Sequence, residues 1–234
     1  MNKVGIVGGL GPESTVDYYQ SIISNYQERL GKKEVLPELF INSISMYQVF
    51  DYISNDDLDG LVTYLSDAVK KLEAVGADFA IISANTPHLV FDRVQQQVKI
   101  PMISIVEETY QQAEKKGLDR LGLLGTKFTM EHDFFKKAFT SRDKEIVVPD
   151  QSEQQYIHET IVEELENGIV NQETKAEYLA IIQRLIEEEN IQGVILGCTE
   201  LPMIIKEDDV DLPQLNTTGI HVHKVVETIL AIDL

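Results

Sequence analysis

Short apolar runs alternate along the chain with longer segments in which apolar residues recur at helical spacing. This alternation is typical of an α/β protein whose helices pack on a mainly parallel sheet. It predicts strands at residues 3–7, 38–43, 79–83, 102–104, 120–124, 145–147 and 193–196. It predicts helices at residues 13–30, 57–75, 106–116, 130–139, 152–167 and 172–189, with a further helix at the C-terminal end.

Two segments of the chain have counterparts further along it. Residues 3–8 are matched by residues 120–125, and residues 77–86 by residues 191–199, at separations of 117 and 114 positions. The nearly equal separations predict two similar α/β lobes related by a pseudo-twofold axis. Chance is the alternative, because any α/β protein contains strands that end in glycine.

The repeat also predicts how the chain is divided. We expect a first lobe of residues 1–104 with the C-terminal helix at about 216–234, and a second lobe of residues 105–215. Positions 84 and 198 would then face each other across the cleft between the lobes. Both follow the carboxyl ends of strands, where open α/β sheets bind their ligands.

Composition narrows the range of functions. The net charge of −19 argues against a nucleic-acid partner, because phosphate backbones are bound by clustered Lys and Arg. The single cysteine rules out an internal disulfide, and no apolar run is long enough for a transmembrane helix. The N-terminus runs straight into a strand without a signal-peptide pattern. We therefore expect a cytoplasmic protein that does not bind membranes.

A glycine-rich segment at residues 8–15 joins the first strand to the first helix, and its backbone N–H groups could approach an anion. It is not a dinucleotide fingerprint, because Ser14 stands at the third glycine position, and no P-loop lysine follows. The structural alternative is a tight turn before a helix, with Pro12 at its first position and Glu13 favouring the helix dipole.

Polar side chains follow two of the predicted strands. Asn85 and Thr86 follow the strand at 79–83 and could hold a carboxylate, although turn or capping roles suit them equally. Cys198 and Thr199 follow the strand at 193–196. A helix starting there would lower the pKa of the Cys198 thiol below about 8.5, which favours a reactive over a merely buried cysteine.

Four blocks together resemble the aspartate/glutamate racemase family over essentially the whole chain: GGLGPEST at 8–15, ANTPH at 84–88, LGTKFTM at 124–130 and GCTEL at 197–201. The resemblance implies two pseudosymmetric α/β lobes with the active site in the cleft between them. It also implies an amino acid or related carboxylate as substrate, and a reaction without pyridoxal phosphate, nucleotide or metal. A homodimer is the expected assembly.

The resemblance exposes a gap in the chemistry. Typical members carry one cysteine before an Asn-Thr pair and another before a Thr-Glu pair; Cys198 matches the second, but Ala84 stands at the first. Racemisation needs an acid and a base on opposite faces of the α-carbon. Alanine can be neither, although some relatives carry threonine there. Ser83 points to the other face of its strand, and His88 could act only through a water or a shifted substrate.

The resemblance implies further roles at the same strand ends. Cys198 would be one proton donor and acceptor, while Asn85, Thr86 and Thr199 would clamp the α-carboxylate. Glu200 would orient Thr199 or meet the amino group.

The resemblance places further residues near the substrate, and each of them could instead have a structural role. Leu10 would contact substrate, as would Tyr47 and Gln48, which fall in an expected loop over the substrate. Tyr156 stands where some members present a lysine to the distal carboxylate, which weakens the case for a dicarboxylic substrate. His221 is expected to be a packed helix residue, in a segment whose threonines cap the last helix.

Three functions stay open from the sequence. The first is an amino-acid racemase in which Ala84 is either an engineered substitution or a natural change of chemistry. The second is a decarboxylase of the arylmalonate type. Its reaction needs a single acid/base residue, Cys198, together with an apolar pocket and oxyanion donors. The third is a non-catalytic protein that binds small carboxylates, with Cys198 as a remnant.

Overall fold

The computed structural model describes residues 1–231, so the last three residues of the C-terminal helix expected at 216–234 lie outside the described residues. The chain forms two compact units. One comprises Met1–Ile105 together with the segment from His221, and the other comprises Val106–Ile220. No helix within the described residues is both long enough and apolar enough to cross a membrane.

The first unit is built on a four-stranded parallel sheet in the order β2-β1-β3-β4. A 3₁₀ turn at Thr86–Val90 follows the third strand. In chain order its elements are β1 (Val4–Gly8), α1 (Pro12–Leu30), β2 (Leu39–Ser43), α2 (Met46–Ser54), α3 (Leu58–Ala74), β3 (Phe79–Ile82), α4 (Phe91–Gln95) and β4 (Met102–Ile103).

The second unit repeats this plan with the order β6-β5-β7-β8, again all parallel. Its last helix continues into the first unit. The elements are α5 (Ile105–Lys115), β5 (Arg120–Leu124), α6 (Lys127–Glu131), α7 (Asp133–Thr140), β6 (Glu145–Val147), α8 (Gln151–Glu163), α9 (Gln172–Glu189), β7 (Gly193–Leu196), α10 (Leu201–Ile204), β8 (Gln214–Asn216) and α11 (Thr217–Leu230).

The identical strand order of the two sheets confirms the α/β fold class and the internal repeat. β1 and β5 hold the second place in their sheets, and β3 and β7 hold the third. These are the strands that the sequence repeat paired with each other. The two sheets therefore carry the residues before position 84 and before position 198 on equivalent central strands.

Alternation along the central strands of the first unit buries both faces of its sheet. Ile6 and Ile81 pack with residues of α1 and α11, whereas Val7 and Ile82 pack with residues of α3. Strand side chains alternate between faces, so both faces must be apolar when helices cover both. This explains why the strands read as continuous apolar runs.

Several boundaries differ from the sequence predictions. The loop expected at Tyr47 is the start of helix α2, whose N-cap Ser45 accepts a hydrogen bond from the backbone of Gln48. The helix expected at 130–139 is two helices, because His132 has extended backbone. Strand β8 was missed because three residues with polar ends give no strand pattern.

Gly9 holds a conformation that other residues rarely adopt. Its φ is +76°, and a Cβ there would lie 2.2 Å from the carbonyl oxygen of Ile44. We expect Gly9→Ala to lower the free energy of unfolding by roughly 3 kcal/mol in urea titrations, because backbone strain and a clash add. Gly31→Ala is the matched control: its φ is +60° with no atom within 4 Å, so strain alone costs roughly 1 kcal/mol. Equal losses for both variants would contradict this account.

Candidate functional site

Cys198 lies directly beyond the carboxyl end of β7, a central strand of its sheet. The residue between them, Gly197, donates its backbone N–H to the carbonyl oxygen of Leu124 at 2.7 Å. A Cβ at Gly197 would lie 2.9 Å from that same oxygen. Only glycine allows this close approach of the two strand ends, which fixes where the cysteine emerges.

The Cys198 thiol and the Thr199 hydroxyl share one acceptor. The thiol donates to Oε2 of Glu200 at 2.9 Å, and the Thr199 hydroxyl donates to the same oxygen at 2.6 Å. All three residues are partly buried. Glu200 therefore orients Thr199 and the cysteine at once.

The surroundings of Cys198 favour its protonated form. Burial raises the pKa of the thiol well above its ordinary value, and the Glu200 carboxylate raises it further by charge and as hydrogen-bond acceptor. The pKa of Glu166 is also raised, by burial and by the charge of Glu200. The expected lowering of the thiol pKa was wrong, because the following helix α10 has only four residues and its dipole is outweighed.

At the other strand end, Ser83 is used entirely by the fold. Its hydroxyl donates to the carbonyl oxygen of Val7 at 3.2 Å, and its carbonyl accepts from the Ser14 hydroxyl at 2.8 Å. Ala84 is partly buried against the apolar residues between the sheet and α3. Asn85 is buried and Thr86 is partly buried at the start of the 3₁₀ turn. The side chain of Ala84 offers only a methyl group.

The glycine-rich loop is held by its own helix. The Thr15 hydroxyl accepts from the backbone N–H of Gly9 at 2.8 Å and donates to the carbonyl oxygen of Gly11 at 3.1 Å. Pro12 occupies the first turn of α1. Leu10, predicted to contact substrate, is 8% exposed and packs in the core of the first unit. These contacts match the tight-turn interpretation of the loop.

Two buried histidines of the first unit have structural roles. His88 donates from Nδ1 to the carbonyl oxygen of Ala84 at 2.9 Å and accepts at Nε2 from the backbone N–H of Ile105. His221 donates from Nε2 to a backbone carbonyl and accepts the Tyr18 hydroxyl at Nδ1, 2.8 Å away. Burial lowers the pKa of His88 to about 4 and that of His221 to about 3. Both are neutral at pH 7, and His221 is the packed residue that the sequence predicted.

The two tyrosines that the sequence singled out differ in their environment. Tyr47 is 73% exposed on α2. Tyr156 packs its ring edge against Tyr178, 6.3 Å between centroids, and contacts the core of the second unit. The ring is therefore committed to packing.

A lysine overlooked in the sequence lies on the second unit near the start of α8. Lys127 donates from Nζ to Oε1 of Gln155 at 3.0 Å and lines an open depression of about 590 Å³. Asp150 and Ser152 also line it. The neutral amide of Gln155 is the lysine's hydrogen-bond partner, and Oε1 of Glu131 on the same helix lies 3.9 Å from Nζ as an ion-pair partner. The place of Lys127 within the block LGTKFTM, next to a strand end, was the signal that could have identified it.

Comparisons with known proteins agree with this arrangement. The family model for Asp/Glu/hydantoin racemase matches residues 7–225. The broad specificity amino-acid racemase RacX of Bacillus subtilis (strain 168) is 25% identical over 228 residues, covering 97% of this chain and 98% of RacX.

Two solved structures share the fold over nearly their whole length. An aspartate racemase homologue from Pyrococcus horikoshii OT3 has a TM-score of 0.90 at 39% identity, covering 99% of this chain and 100% of that one. Picrophilus torridus aspartate racemase has a TM-score of 0.72 at 22% identity, covering 98% of this chain and 94% of that one, which shows the fold. The chain belongs to the Asp/Glu/hydantoin racemase family.

Proposed function

We propose that the chain is a cofactor-independent amino-acid racemase scaffold with one proton-transfer group, Cys198, and with the partner position vacated by Ala84. The observation that carries the proposal is the Cys198 thiol donating to Glu200 at 2.9 Å, at the end of a central strand. The thiol is protonated at neutral pH and has a base within reach. The proposal includes a homodimer located in the cytoplasm.

The chemistry of this pair is reversible proton transfer on one face of the α-carbon. When Cys198 passes its proton to the Glu200 carboxylate, the resulting thiolate can accept the α-hydrogen of an amino acid as a proton. The electron pair of the broken C–H bond stays on the carbanion, which the thiol can reprotonate from the same face. Inversion needs a donor on the opposite face, and alanine supplies none.

The proposed ligand clamp uses Asn85, Thr86 and Thr199 for the α-carboxylate. Thr199 already donates to Glu200, so it could serve a carboxylate only by giving up that bond. Leu10 and Tyr47 complete the proposed contacts. Lys127, which lines the depression near the start of α8, is the cation that would favour an acidic side chain on the substrate.

Exchange of the α-hydrogen in heavy water tests the proposal. We expect the chain to wash the α-hydrogen out of one enantiomer of at least one amino acid in a panel of both enantiomers, without inverting it. NMR measures the washout and chiral chromatography measures the inversion. No exchange with any amino acid would leave only carboxylate binding, and carbon dioxide release from an arylmalonate would support the decarboxylase instead.

We expect Cys198→Ser to reduce this exchange at least 100-fold, because a serine hydroxyl is a far weaker acid than a thiol; positioned acid–base groups contribute roughly 10²–10⁴-fold. The unfolding midpoint of the variant, measured in urea, should stay close to that of the parent and serves as the control for folding. An unchanged exchange rate would remove Cys198 from the mechanism.

A further inference from the structure

The start of α11 lies beside the strand end that carries Cys198. Strand β8 pairs with β7 in a parallel register that sets Asn216 opposite Leu196. Thr218 stands two residues after Asn216, and Cys198 stands two residues after Leu196. Both follow the carboxyl end of a strand, so Thr218 belongs to the same edge of the second sheet as the thiol.

Thr218 has a buried hydroxyl that nothing in the described chain satisfies. The residue is 5% exposed, and its Oγ1 has no hydrogen-bond partner within residues 1–231. The two residues before it use side-chain oxygens in the fold: the Thr217 hydroxyl donates to the carbonyl oxygen of Leu196 at 3.0 Å, and Oδ1 of Asn216 accepts from the backbone N–H of Gly219. Asn216 caps the helix, so the capping role expected for Thr218 was wrong.

A buried hydroxyl without a partner is rare in native structures, because burial costs free energy that only a hydrogen bond offsets. The missing partner is therefore a ligand or an ordered water. Thr218 lies in the first turn of a 14-residue helix, where the positive end of the dipole favours an anion. The neighbouring Thr199 hydroxyl is already engaged with Glu200. These facts favour a ligand carboxylate.

We propose that the Thr218 hydroxyl donates a hydrogen bond to a carboxylate oxygen of the bound amino acid. This inference rests on the proposed function and adds a binding residue to it. It assigns to Thr218 part of the clamp that the sequence gave to Thr199, and it leaves the hydrogen bond between Thr199 and Glu200 intact.

The test compares the wild type with Thr218→Val, Thr218→Ser and Thr217→Val, using calorimetric titration with each member of the amino-acid panel. We expect Thr218→Val to weaken binding roughly 10-fold or more, because a hydrogen bond to a charged group is lost. Thr218→Ser should retain wild-type affinity. Without ligand, the unfolding midpoint of Thr218→Val should equal or exceed that of the wild type.

Thr217→Val is the matched control, since it removes a hydroxyl that the fold uses. It should lower the unfolding midpoint, because the carbonyl of Leu196 loses its donor. Wild-type affinity in Thr218→Val, equal weakening in Thr218→Ser, or loss of folding in Thr218→Val would each overturn the inference. If the unfolding midpoint of Thr218→Val falls while its affinity for the amino acid is unchanged, the hydroxyl binds a structural water instead, and the inference is overturned as well. If the wild type binds no amino acid, the proposed function fails with it, whereas binding that ignores Thr218 overturns the inference alone.

Discussion

Ala84→Cys should turn the chain into a racemase that inverts the amino acid it binds. We expect the rate of inversion to rise at least 100-fold above that of the parent, because a positioned acid–base group contributes roughly 10²–10⁴-fold. The change restores the second proton-transfer group at the position where typical members of the family carry it. Chiral chromatography of reactions started from each enantiomer measures the gain.

The site can accept the added sulfur. Ala84 is partly buried at the edge of the apolar cluster, and Ser83 and His88 hold the backbone on either side of it through hydrogen bonds that do not involve its methyl group. The backbone geometry should therefore survive the substitution.

Two further variants make the result interpretable. Ala84→Ser fills nearly the same volume without a thiol and should give much less inversion. Adding Cys198→Ser to Ala84→Cys should abolish the gained inversion, because the double variant again has a thiol on only one face of the α-carbon. If Ala84→Cys gains no activity with any amino acid in the panel, the racemase assignment of this scaffold is wrong.

The sequence was most informative where its pattern extends over many residues. Continuous apolar strands and the repeat at nearly equal separations predicted two parallel sheets, and both sheets have the same strand order. Four sequence blocks, three of which contain glycine, predicted the family. These patterns are readable in the sequence because burial in a sheet and close approach of backbones strongly restrict the residue types allowed. At Gly197, for example, a Cβ would lie 2.9 Å from the carbonyl oxygen of Leu124, so only glycine fits.

Effects that depend on a few atoms in three dimensions were not predictable. The raised pKa of the Cys198 thiol depends on burial and on the position of the Glu200 carboxylate, neither of which follows from helix start signals. Thr217 and Thr218 are the same residue type at adjacent positions, yet only the hydroxyl of Thr217 has a hydrogen-bond partner in the described chain. The sequence cannot distinguish the two. Short elements such as β8 carry too few residues for a period to appear.

Acid should destabilise the protein through the two buried histidines. The pKa of His88 is about 4 and that of His221 about 3 in the folded state, below their ordinary value of 6.5. The unfolded chain therefore binds protons that the folded chain does not, and stability falls as the pH drops below about 6.5. At pH 4.5 the loss is roughly 2 to 3 kcal/mol for each histidine, a large part of a typical stability of 5–15 kcal/mol.

Urea unfolding at pH 7 and pH 4.5 measures this effect through differences between variants. The net charge of −19 requires the comparison, because protonation of surface carboxylates relieves self-repulsion and changes stability in the opposite direction. His88→Asn keeps an amide donor for the carbonyl of Ala84 and removes the titratable ring. Its stability at pH 7 should fall, but its further loss between pH 7 and pH 4.5 should be smaller than that of the wild type by roughly 2 kcal/mol.

His223→Asn, on α11, supplies the control, since the His223 side chain is 58% exposed. It should lose as much stability between the two pH values as the wild type. If His88→Asn also loses as much, then protonation of His88 does not drive the acid response. A reduced loss in His88→Asn alone would show that the hydrogen bonds holding the backbone at Ala84 depend on a neutral imidazole. The position that decides between one-sided exchange and racemisation would then lose this hydrogen bond only as the pH falls toward about 4, the pKa of His88 in the folded state.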